Sequence, residues 1–366
     1  MKVAIVHDHL AQNGGAEQVL KVFCEIWPDA PVYVVVHDPK NADPFFNDKD
    51  IRTSFIQRLP FGLRKYQWFF PLMPTAVESY DLSEYDVVIS TSSSFAKGIV
   101  TRPDTVHVAY CHTPTRFLWS DTHSYVQEIG VPKMLQRPLQ LFLSRVRIWD
   151  RLASERADVI IANSAVVQHR IKKYYHRNAQ IIHPPVTVSD FFPVPLDQVG
   201  NYFFAGGRLV PYKRFDLLVT AFNKLGRPLK IFGTGPELQR LKKMAHPNIE
   251  FLGRISESEL KKHYAHCQAF LNPQEEDFGI TMIEALASGR PVIAYNKGGA
   301  AEIVQHGVNG LLIQYQTWED FANAILDFDA QQFEPETVRA TVERFDVVQF
   351  KKKIQQTVDE AVASAA

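Results

Sequence analysis

QEEDFGITMIEALASGR, residues 274–290, has the pattern of a strand-to-helix junction. It follows an apolar run, opens with an acidic turn, and continues as an apolar helical stretch that Gly289 ends. At such a junction the first N–H groups of the helix lack backbone partners, so they can bind a phosphate or a sugar hydroxyl. If the helix begins near Phe278, Glu284 lies nearly two turns inside it, where burying a carboxylate is costly without a hydrogen-bonding partner. The alternative is that the acidic residues only favour the positive end of the helix dipole and that Glu284 is solvated.

The composition limits the classes of protein to which this chain can belong. Its 366 residues are enough for two domains with substantial cores. Lys plus Arg and Asp plus Glu number 40 each, so no global charge favours nucleic acid as a partner. The cysteines show no metal-ligand spacing, which indicates buried thiols in a reducing cytosol; they are Cys24, Cys111 and Cys267. No signal peptide is expected, and no window approaches the roughly 18 uncharged apolar residues that a membrane span needs.

Short apolar runs alternate with helical stretches through the first half of the chain. Such runs are typical of strands buried on both faces of a parallel sheet. We place these strands at 3–6, 32–36, 87–89, 106–110, 159–161 and 181–182. The alternation predicts a doubly wound α/β sheet, whose ligands bind at the carboxyl ends of its strands.

The loop after the first of these strands contains Gly14 and Gly15 directly before a helical stretch. Paired glycines let the backbone approach an anion closely at the helix N-terminus. A dinucleotide site would need three glycines in the spacing G-x-G-x-x-G, and only two are present. A nicotinamide-dependent oxidoreductase is therefore a weak alternative.

The stretch 184–195 is proline-rich and lacks periodicity, which predicts an interdomain linker. Strands and helices then alternate again, which predicts a second doubly wound α/β domain. We expect an N-terminal Rossmann-like domain over residues 1–190 and a C-terminal Rossmann-like domain over residues 196–346, facing each other across a cleft. A last helix at about 347–366 is expected to pack back on the N-terminal domain. The second set of strands is placed at 202–205, 229–232, 249–252, 269–271, 291–295 and 311–313.

Two segments of the first half interleave apolar side chains with cations. Residues 51–73 include Arg58, Arg64 and Lys65 among many aromatic residues, and residues 133–151 carry arginines among aliphatic ones. This pattern suits an anionic membrane surface or a lipid-linked ligand. The alternative is an ordinary amphipathic segment against the sheet, with arginine stems lying along apolar surface.

Arg208 and Lys213 follow a predicted strand of the second half and precede a helical stretch. From one such junction, a guanidinium fork and an ammonium charge could clamp a pyrophosphate and stabilise it as a leaving group without a metal. Each residue alone could equally be a solvated surface charge. Turns at Gly233, Arg254 and Ile255 lie at the same predicted edge and could line the binding site of a nucleobase.

Together these residues resemble the retaining, nucleotide-sugar-dependent glycosyltransferases of family 4, whose GT-B architecture has two facing Rossmann-like domains with an interdomain cleft. The resemblance covers nearly the whole chain. Its most specific mark is an E-x7-E motif at Glu276 and Glu284, supported by the Gly-Gly-Arg-x4-Lys segment that ends at Lys213. The segments VHDHL, YCHTP and EDFGI are similar to those of bacterial mannosyltransferases that build O-antigen and exopolysaccharide repeats.

The resemblance implies a role for each matching residue. Glu284 would bind the ribose hydroxyls and Glu276 the hydroxyls of the donor sugar. Arg208 and Lys213 would neutralise the diphosphate, and His112 would lie at the reaction centre near the sugar. The catalytic residues would be His112, Glu276, Arg208 and Lys213. The expected donor site also includes Gly14, Gly15, Gly207, Gly233, Arg254, Ile255, Phe278, Gly279 and Ile280.

The implied activity is transfer of a hexose with retention of configuration. The expected donor is GDP-mannose, and the expected acceptor is a lipid-linked saccharide in cell-surface polysaccharide or lipopolysaccharide biosynthesis. UDP-glucose or UDP-N-acetylglucosamine is the alternative donor, because no residue distinguishes guanine from uracil. A non-catalytic saccharide-binding clamshell is a further alternative.

No cofactor and no metal are expected. The family is thought to use front-face attack, although a double displacement with a carboxylate nucleophile is also possible in principle. The enzyme would be cytoplasmic and peripheral at the inner face of the cell membrane.

Overall fold

The computed structural model describes residues 1–120, 122 and 133–365. The chain divides into two compact units. The N-terminal unit comprises residues 1–185 together with the chain from Phe350 onward, and the C-terminal unit comprises the residues between them.

The division falls after Pro185, earlier than the predicted end of the first domain at residue 190. The reason is that the proline-rich stretch packs on the C-terminal unit. Val186 forms an isolated parallel bridge with Asp346, and Phe191 is buried in the hydrophobic core of that unit. The stretch that we predicted to be a linker is therefore partly core.

The N-terminal unit is built on a seven-stranded sheet. Its strands are β1 (Val3–His7), β2 (Val32–Val34), β3 (Ile51–Thr53), β4 (Val87–Ser92), β5 (Val106–Cys111), β6 (Val159–Ala162) and β7 (Gln180–Ile181). Their order is β3-β2-β1-β4-β5-β6-β7, and the recorded pairings are parallel. Every residue of the central strands β1, β4 and β5 is buried, as expected for apolar strands inside a parallel sheet.

The C-terminal helix Val347–Ala365 packs on the N-terminal unit through its first turns. The ring of Phe350 lies 5.7 Å from that of Phe23 and 5.8 Å from that of Tyr110. Nζ of Lys351 lies 2.8 Å from a carboxylate oxygen of Glu25. The other described α-helices of this unit include Gly15–Ile26, Met73–Glu78, Lys133–Glu155 and Ala165–Tyr175.

The C-terminal unit has a six-stranded sheet. Its strands are β8 (Phe203–Gly206), β9 (Leu229–Phe232), β10 (Ile249–Gly253), β11 (Phe270–Asn272), β12 (Val292–Tyr295) and β13 (Gly310–Ile313). Their order is β10-β9-β8-β11-β12-β13, again with parallel pairings. The helices are Phe215–Leu225, Leu238–Met244, Glu257–His266, Ile280–Ala287, Ala300–Ile303, Trp318–Leu326 and Pro335–Ala340.

The prediction of two doubly wound, parallel α/β sheets is confirmed, with two corrections of detail. Strand β3 was not predicted, because it has only three residues, none of them buried, with Arg52 at its centre. The helix of residues 274–290 begins at Ile280 rather than near Phe278, so Glu284 lies about one turn inside it. Gly289, with φ of +71°, follows the end of this helix as predicted.

The loops that leave β8 and β9 touch through their backbones, and this contact requires a glycine. Gly233 has φ of +107°, and its N–H donates to the carbonyl of Gly253 at 2.7 Å. A Cβ atom at Gly233 would collide with the carbonyl oxygen of Gly207. The absence of a side chain at Gly233 therefore sets the spacing of the loops at this sheet edge.

Replacing Gly233 by Ala should destabilise the C-terminal unit by about 3 kcal/mol, because the backbone strain of a positive φ adds to a steric clash. Gly253→Ala is the matched control, since Gly253 also has a positive φ, of +68°, but a Cβ atom there meets nothing within 4 Å. The control should cost only about 1 kcal/mol. Urea denaturation measures both values. Equal losses in the two variants would contradict the role of the close approach.

Candidate functional site

The predicted donor-site residues of the C-terminal unit lie in loops at one edge of its sheet. Because the strands are parallel, their carboxyl ends share that edge. Arg208 and Lys213 lie in the loop after β8, and Glu276 lies in the loop after β11, the strand next to β8. Arg254 and Ile255 follow β10. The structure thus brings the sequence-predicted residues of this unit to the same sheet edge.

Lys213 and Glu276 form an ion pair. Nζ of Lys213 lies 2.6 Å from Oε1 of Glu276, and the two side chains are only 13% and 17% exposed. Gly207 lies beside the ammonium, since a Cβ atom there would be 3.3 Å from Nζ. A partly buried ion pair of this kind is costly to break, because either charge alone would be poorly solvated. The predicted phosphate cation and the predicted sugar-binding carboxylate are therefore direct neighbours.

The other two cations of the predicted site differ from Lys213. Arg208 is exposed, and its guanidinium makes a long hydrogen bond of 3.5 Å to the hydroxyl of Tyr212. Arg254 is also exposed, whereas Ile255 is half-buried. Long exposed side chains can reorient toward a ligand at little cost. Of these three cations, Lys213 is thus the one whose position is already fixed by an ion pair.

The loop that contains Glu276 is fixed by the backbone of its neighbour. The N–H of Gly299 donates to the carbonyl of Glu276 at 2.8 Å, and Glu276 forms a parallel bridge with Gly298. Phe278 is buried, with its ring 5.6 Å from that of Phe345. These contacts hold Glu276 and the start of the following helix in one arrangement.

The helix Ile280–Ala287 begins without a side-chain cap. Its N-cap residue is Gly279, with φ of +107°, and no side chain accepts a hydrogen bond at this cap. The N–H of Met282 donates to the carbonyl of Gly279 at 3.0 Å, which leaves the N–H groups of Ile280 and Thr281 available to an anion or to hydroxyl oxygens. A Cβ atom at Gly279 would lie 3.4 Å from Oε2 of Glu276, which places this helix start beside the Lys213–Glu276 pair.

Glu284 has a partner within the protein. The hydroxyl of Tyr264 donates to its Oε2 atom at 2.9 Å. Burial raises the pKa of Glu284 to about 7, while the hydrogen bond from Tyr264 works in the opposite direction. The sequence predicted that a carboxylate inside this helix needs a hydrogen-bonding partner, and Tyr264 supplies one without any ligand.

Glu284→Gln should stabilise the protein above neutral pH. The raised pKa means that ionised Glu284 opposes folding progressively as the pH rises from the usual Glu value through about 7. Because Gln is uncharged and can still accept from Tyr264, the variant should gain about 2 kcal/mol of unfolding free energy at pH 8 and much less at pH 5. Urea denaturation at both pH values measures this difference. A gain that is the same at both pH values would contradict the assigned ionisation.

In the N-terminal unit, Gly14 and Gly15 lie where the sequence predicts. Gly14 is the N-cap of the helix Gly15–Ile26, in an extended conformation and without a side-chain cap, and Gly15 is exposed. The buried Glu17 lies directly beneath this loop, since a Cβ atom on Gly14 would be 3.1 Å from its Oε2 atom. Nε2 of His7 lies 3.8 Å from Oε1 of Glu17. The carboxylate of Glu17 therefore contacts the glycine loop, and the imidazole of His7 lies behind that carboxylate.

His112 lies at the carboxyl end of β5, at the same sheet edge as the glycine loop. Its side chain is buried, and Nε2 lies 2.7 Å from Oγ1 of Thr91. Burial lowers the pKa of His112 to about 4, with a further lowering by His7. The imidazole is therefore neutral at physiological pH, and it can exchange hydrogen bonds as a donor or an acceptor.

Asp8 follows β1 and organises the loop after β4. Its two carboxylate oxygens accept hydrogen bonds from the N–H groups of Ser93, Ser94, Phe95 and Ala96, at 2.6 to 2.9 Å. Burial alone would raise the pKa of Asp8, but His7 and these N–H donors bring it below its usual value. Sequence reasoning assigned Asp8 no role, although an acidic residue directly after a buried strand was the available signal.

A second buried carboxylate holds the loop after β5. Oδ1 of Asp150 lies 2.6 Å from Nζ of Lys97 and accepts from the hydroxyl of Thr115 at 2.7 Å. Its Oδ2 atom accepts from Nε1 of Trp119 and from the hydroxyl of Tyr175, each at 2.8 Å. This network, which was also missed, connects the loops after β4 and β5 to the helix Lys133–Glu155. No sequence pattern links residues so far apart in the chain.

Two further findings concern metals and membranes. Within the described ranges, no group of three or more His, Cys, Asp and Glu side chains could hold a metal ion. Among the helices that the structure describes, none has the length and apolar character that crossing a bilayer requires.

The three predicted buried thiols, Cys24, Cys111 and Cys267, are indeed buried and free.

Two protein families match this chain and together cover most of it. Residues 13–190 match the family described as Glycosyltransferase Family 4, and residues 189–343 match the family described as Glycosyl transferases group 1. The matches meet at residues 189–190.

Relatives with described activities match part of the chain. A GDP-mannose-dependent alpha-(1-6)-phosphatidylinositol monomannoside mannosyltransferase of Mycobacterium tuberculosis is 38% identical over 138 residues, which are 33% of this chain and 36% of that protein. A GDP-mannose-dependent alpha-mannosyltransferase of Corynebacterium glutamicum is 37% identical over 108 residues, which are 29% of this chain and 26% of that protein. The chain thus spans between about a quarter and about a third of the length of these curated relatives.

Solved structures match over nearly the whole chain. Anabaena HepE in complex with UDP-glucose has a TM-score of 0.73 at 21% identity, covering 98% of this chain and 100% of that one. Sucrose-phosphate synthase of Thermosynechococcus elongatus has a TM-score of 0.74 at 18% identity, covering 100% of both chains. At these identities the likeness establishes a shared fold.

Proposed function

Because this chain belongs to the family 4 glycosyltransferases of GT-B architecture, we propose that it is a retaining enzyme that transfers mannose from GDP-mannose to a lipid-linked saccharide. The observation that carries this proposal is the Lys213–Glu276 ion pair beside the uncapped start of the helix Ile280–Ala287. A nucleotide sugar needs a cation and N–H donors for its diphosphate, with a carboxylate nearby for sugar hydroxyls. These groups are neighbours at one sheet edge.

The diphosphate would be bound by charges from two sources. Lys213 supplies a prearranged ammonium, and the exposed Arg208 supplies a guanidinium that can move to a phosphate oxygen. The helix N-terminus at Ile280 adds backbone N–H donors. Together they would stabilise the nucleoside diphosphate as it leaves, without a metal ion.

The carboxylates would bind the hydroxyl groups of the donor. Glu276 would accept from the sugar and Glu284 from the ribose, because an ionised carboxylate is an acceptor with several lone pairs. Two cations beside this carboxylate suit a ligand with a diphosphate better than a saccharide without one. The catalytic interpretation is therefore preferred to a non-catalytic clamshell.

In the N-terminal unit, the glycine loop and His112 lie at one sheet edge. The N–H group of Gly15 would donate to a phosphate oxygen, and His112 would form a hydrogen bond with a sugar hydroxyl. Since the imidazole of His112 is neutral at physiological pH, its role would be a hydrogen bond rather than charge neutralisation. In a front-face mechanism, a phosphate oxygen of the donor would take the proton from the acceptor hydroxyl.

Mannose is preferred as the transferred sugar because two relatives with 37% and 38% identity are named as GDP-mannose-dependent mannosyltransferases. UDP-glucose or UDP-N-acetylglucosamine is the alternative donor. It is supported by the structure of HepE with UDP-glucose, which shares the fold at 21% identity.

A donor screen tests the proposal. GDP-mannose should raise the thermal midpoint of the intact protein and be hydrolysed slowly, whereas UDP-glucose and NADH should do neither. Lys213→Met should weaken GDP-mannose binding roughly 10- to 100-fold, the value of a hydrogen bond to a charged group. Lys242→Met, on the exposed face of the helix Leu238–Met244, is the control and should bind normally.

The outcomes of this screen separate the alternatives. A midpoint shift by UDP-glucose alone would replace the donor and keep the enzyme class. No shift by any nucleotide sugar would overturn the transferase proposal, and equal binding by the two lysine variants would overturn the assignment of Lys213.

We further propose that the N-terminal unit docks on the anionic inner face of the cell membrane, where a lipid-linked acceptor would lie. Phe61 and Trp68 are 66% and 67% exposed, beside the cations Arg58, Arg64 and Lys65. Nζ of Lys65 lies 3.8 Å above the ring of Trp68. Aromatic rings and cations side by side fit the headgroup region of an anionic bilayer.

One face of the helix Lys133–Glu155 packs against the rest of the N-terminal unit, and another face is exposed. Its inward side chains share a hydrophobic cluster with the segment 55–73, and the rings of Phe70 and Phe142 lie 5.4 Å apart. The ordinary amphipathic interpretation thus accounts for the inward face. Its exposed face carries apolar side chains beside the exposed Arg145; they are Met134, Leu141, Ile148 and Leu152.

Replacing Arg58, Arg64 and Lys65 together by Ala should weaken binding to phosphatidylglycerol-containing vesicles roughly 100-fold, since each cation near an anionic surface contributes about 1 kcal/mol. Vesicle sedimentation measures this. The control replaces three exposed cations elsewhere in the same unit, Arg102, Lys172 and Lys173, and should bind as the intact protein does. Equal losses in both triple variants, or no binding by the intact protein, would reject this surface.

A further inference from the structure

Tyr264 lies behind Glu284, and its ring is held by aromatic neighbours. It belongs to the helix Glu257–His266 and is fully buried. Ring centroids of Phe204 and Phe270 lie 5.3 and 5.4 Å from that of Tyr264, and the ring of Phe191 lies 6.3 Å away. Close packing of this kind fixes a side chain in one rotamer. The position of the phenol oxygen is therefore set by the core of the C-terminal unit.

The hydroxyl of Tyr264 is a permanent donor. Burial raises the pKa of this phenol well above its usual value, so it stays protonated at any physiological pH. A buried hydroxyl needs a hydrogen-bonding partner, and Tyr264 donates to Oε2 of Glu284 at 2.9 Å. One lone pair of one carboxylate oxygen is thus committed to the protein.

We propose that Tyr264 is a positioning residue of the nucleotide site, whose hydroxyl orients the Glu284 carboxylate so that its remaining lone pairs accept the hydroxyl groups of the ribose. This inference rests on the proposed function, in which Glu284 binds the ribose. A carboxylate on a short helix has several accessible rotamers, and an anchored oxygen removes that freedom before the ligand arrives. The ligand then meets a prearranged acceptor.

The hydrogen bond also favours the ionised form of Glu284. Burial raises the pKa of this carboxyl to about 7, and the Tyr264 hydroxyl holds it from rising further. Only the ionised carboxylate is purely an acceptor for hydroxyl donors. Removing the phenol oxygen should therefore shift ionisation of Glu284, and with it nucleotide binding, to higher pH.

Other charged groups around this helix act on Glu284 more weakly or are engaged elsewhere. On the helix Glu257–His266, Glu257 raises and Lys261 lowers the same pKa, and Lys261 also pairs with Asp190 at 3.1 Å. Glu276, on the loop before the Glu284 helix, is paired with Lys213. On the remaining packed elements, Arg339 donates to the carbonyl of Ala287 and Arg290 donates to that of Val194. Glu302 is also engaged in an interaction. Tyr264 is the direct hydrogen-bond donor to the carboxylate.

Tyr264→Phe tests the inference, because it removes the hydroxyl and keeps the packed ring. The probes are GDP-mannose and UDP-glucose, whose diphosphates are esterified at both ends and carry no group that titrates near neutral pH. Affinity of the intact protein for the probe that binds should fall as the pH drops below about 7. The variant should bind roughly fivefold more weakly at pH 8.5, because the ionised carboxylate is no longer held in one rotamer, and the loss should be larger at pH 7, because the pKa of Glu284 rises without the hydroxyl.

Tyr202→Phe is the matched control. The hydroxyl of Tyr202 donates to the helix Glu257–His266, which also contains Tyr264, through the carbonyl of His263 at 3.1 Å. It does not contact Glu284. This variant should keep the pH profile of the intact protein. Calorimetric titration between pH 5.5 and 8.5 gives the affinities, and the thermal midpoint without ligand shows that each variant is folded.

The possible failures can be told apart. If the intact protein binds neither probe, the proposed function fails and this inference fails with it. If the intact protein binds but Tyr264→Phe has an unchanged affinity at all pH values, the inference is wrong and the proposed function stands. A loss in Tyr264→Phe that Tyr202→Phe shows to the same extent would reveal a merely structural role and would also overturn the inference.

Discussion

The Lys213–Glu276 ion pair sets the arrangement of the C-terminal sheet edge. Both charges are largely removed from water, so each would be costly without the other. Their contact at 2.6 Å requires the loops after β8 and β11 to lie side by side. Each of these loops also meets its other neighbour through backbone contacts that exclude side chains, at Gly207 against Gly233 and at Glu276 against Gly298. The ion pair and the glycine contacts together fix the loops of this edge.

In the N-terminal unit, backbone N–H groups rather than a cation stabilise a buried carboxylate. Asp8 is buried at the corresponding edge and receives four N–H donors instead of a lysine. A carboxylate bonded in this way keeps its charge in an apolar setting. The loop after β4 is thereby fixed, and the neighbouring loop with His112 is held by the Asp150 network. The loops after β4 and β5 are thus held by hydrogen bonds to buried carboxylates.

Much of the fold could be predicted because its information is local. The buried strands are continuous apolar runs, and Gly289 ends its helix at the predicted place. Strand β3 could not be predicted, because it is stabilised by pairing with β2 and has no apolar run of its own. The partner of Glu284 could not be predicted either. Tyr264 is twenty residues away in the chain and meets Glu284 only because two helices pack together.

For the candidate site, local pattern placed Arg208, Lys213 and Glu276 on the correct sheet edge but said nothing of how they pair. The observed pairing does not block a ligand. An ammonium has three N–H donors, and Glu276 uses one of those on Lys213. A phosphate oxygen can therefore join the pair without displacing the carboxylate, and the second oxygen of Glu276 can still accept from a hydroxyl. A cation shared in this way would connect the diphosphate to the sugar through one side chain. This geometry supports the proposed nucleotide-sugar donor over a free sugar or a free phosphate.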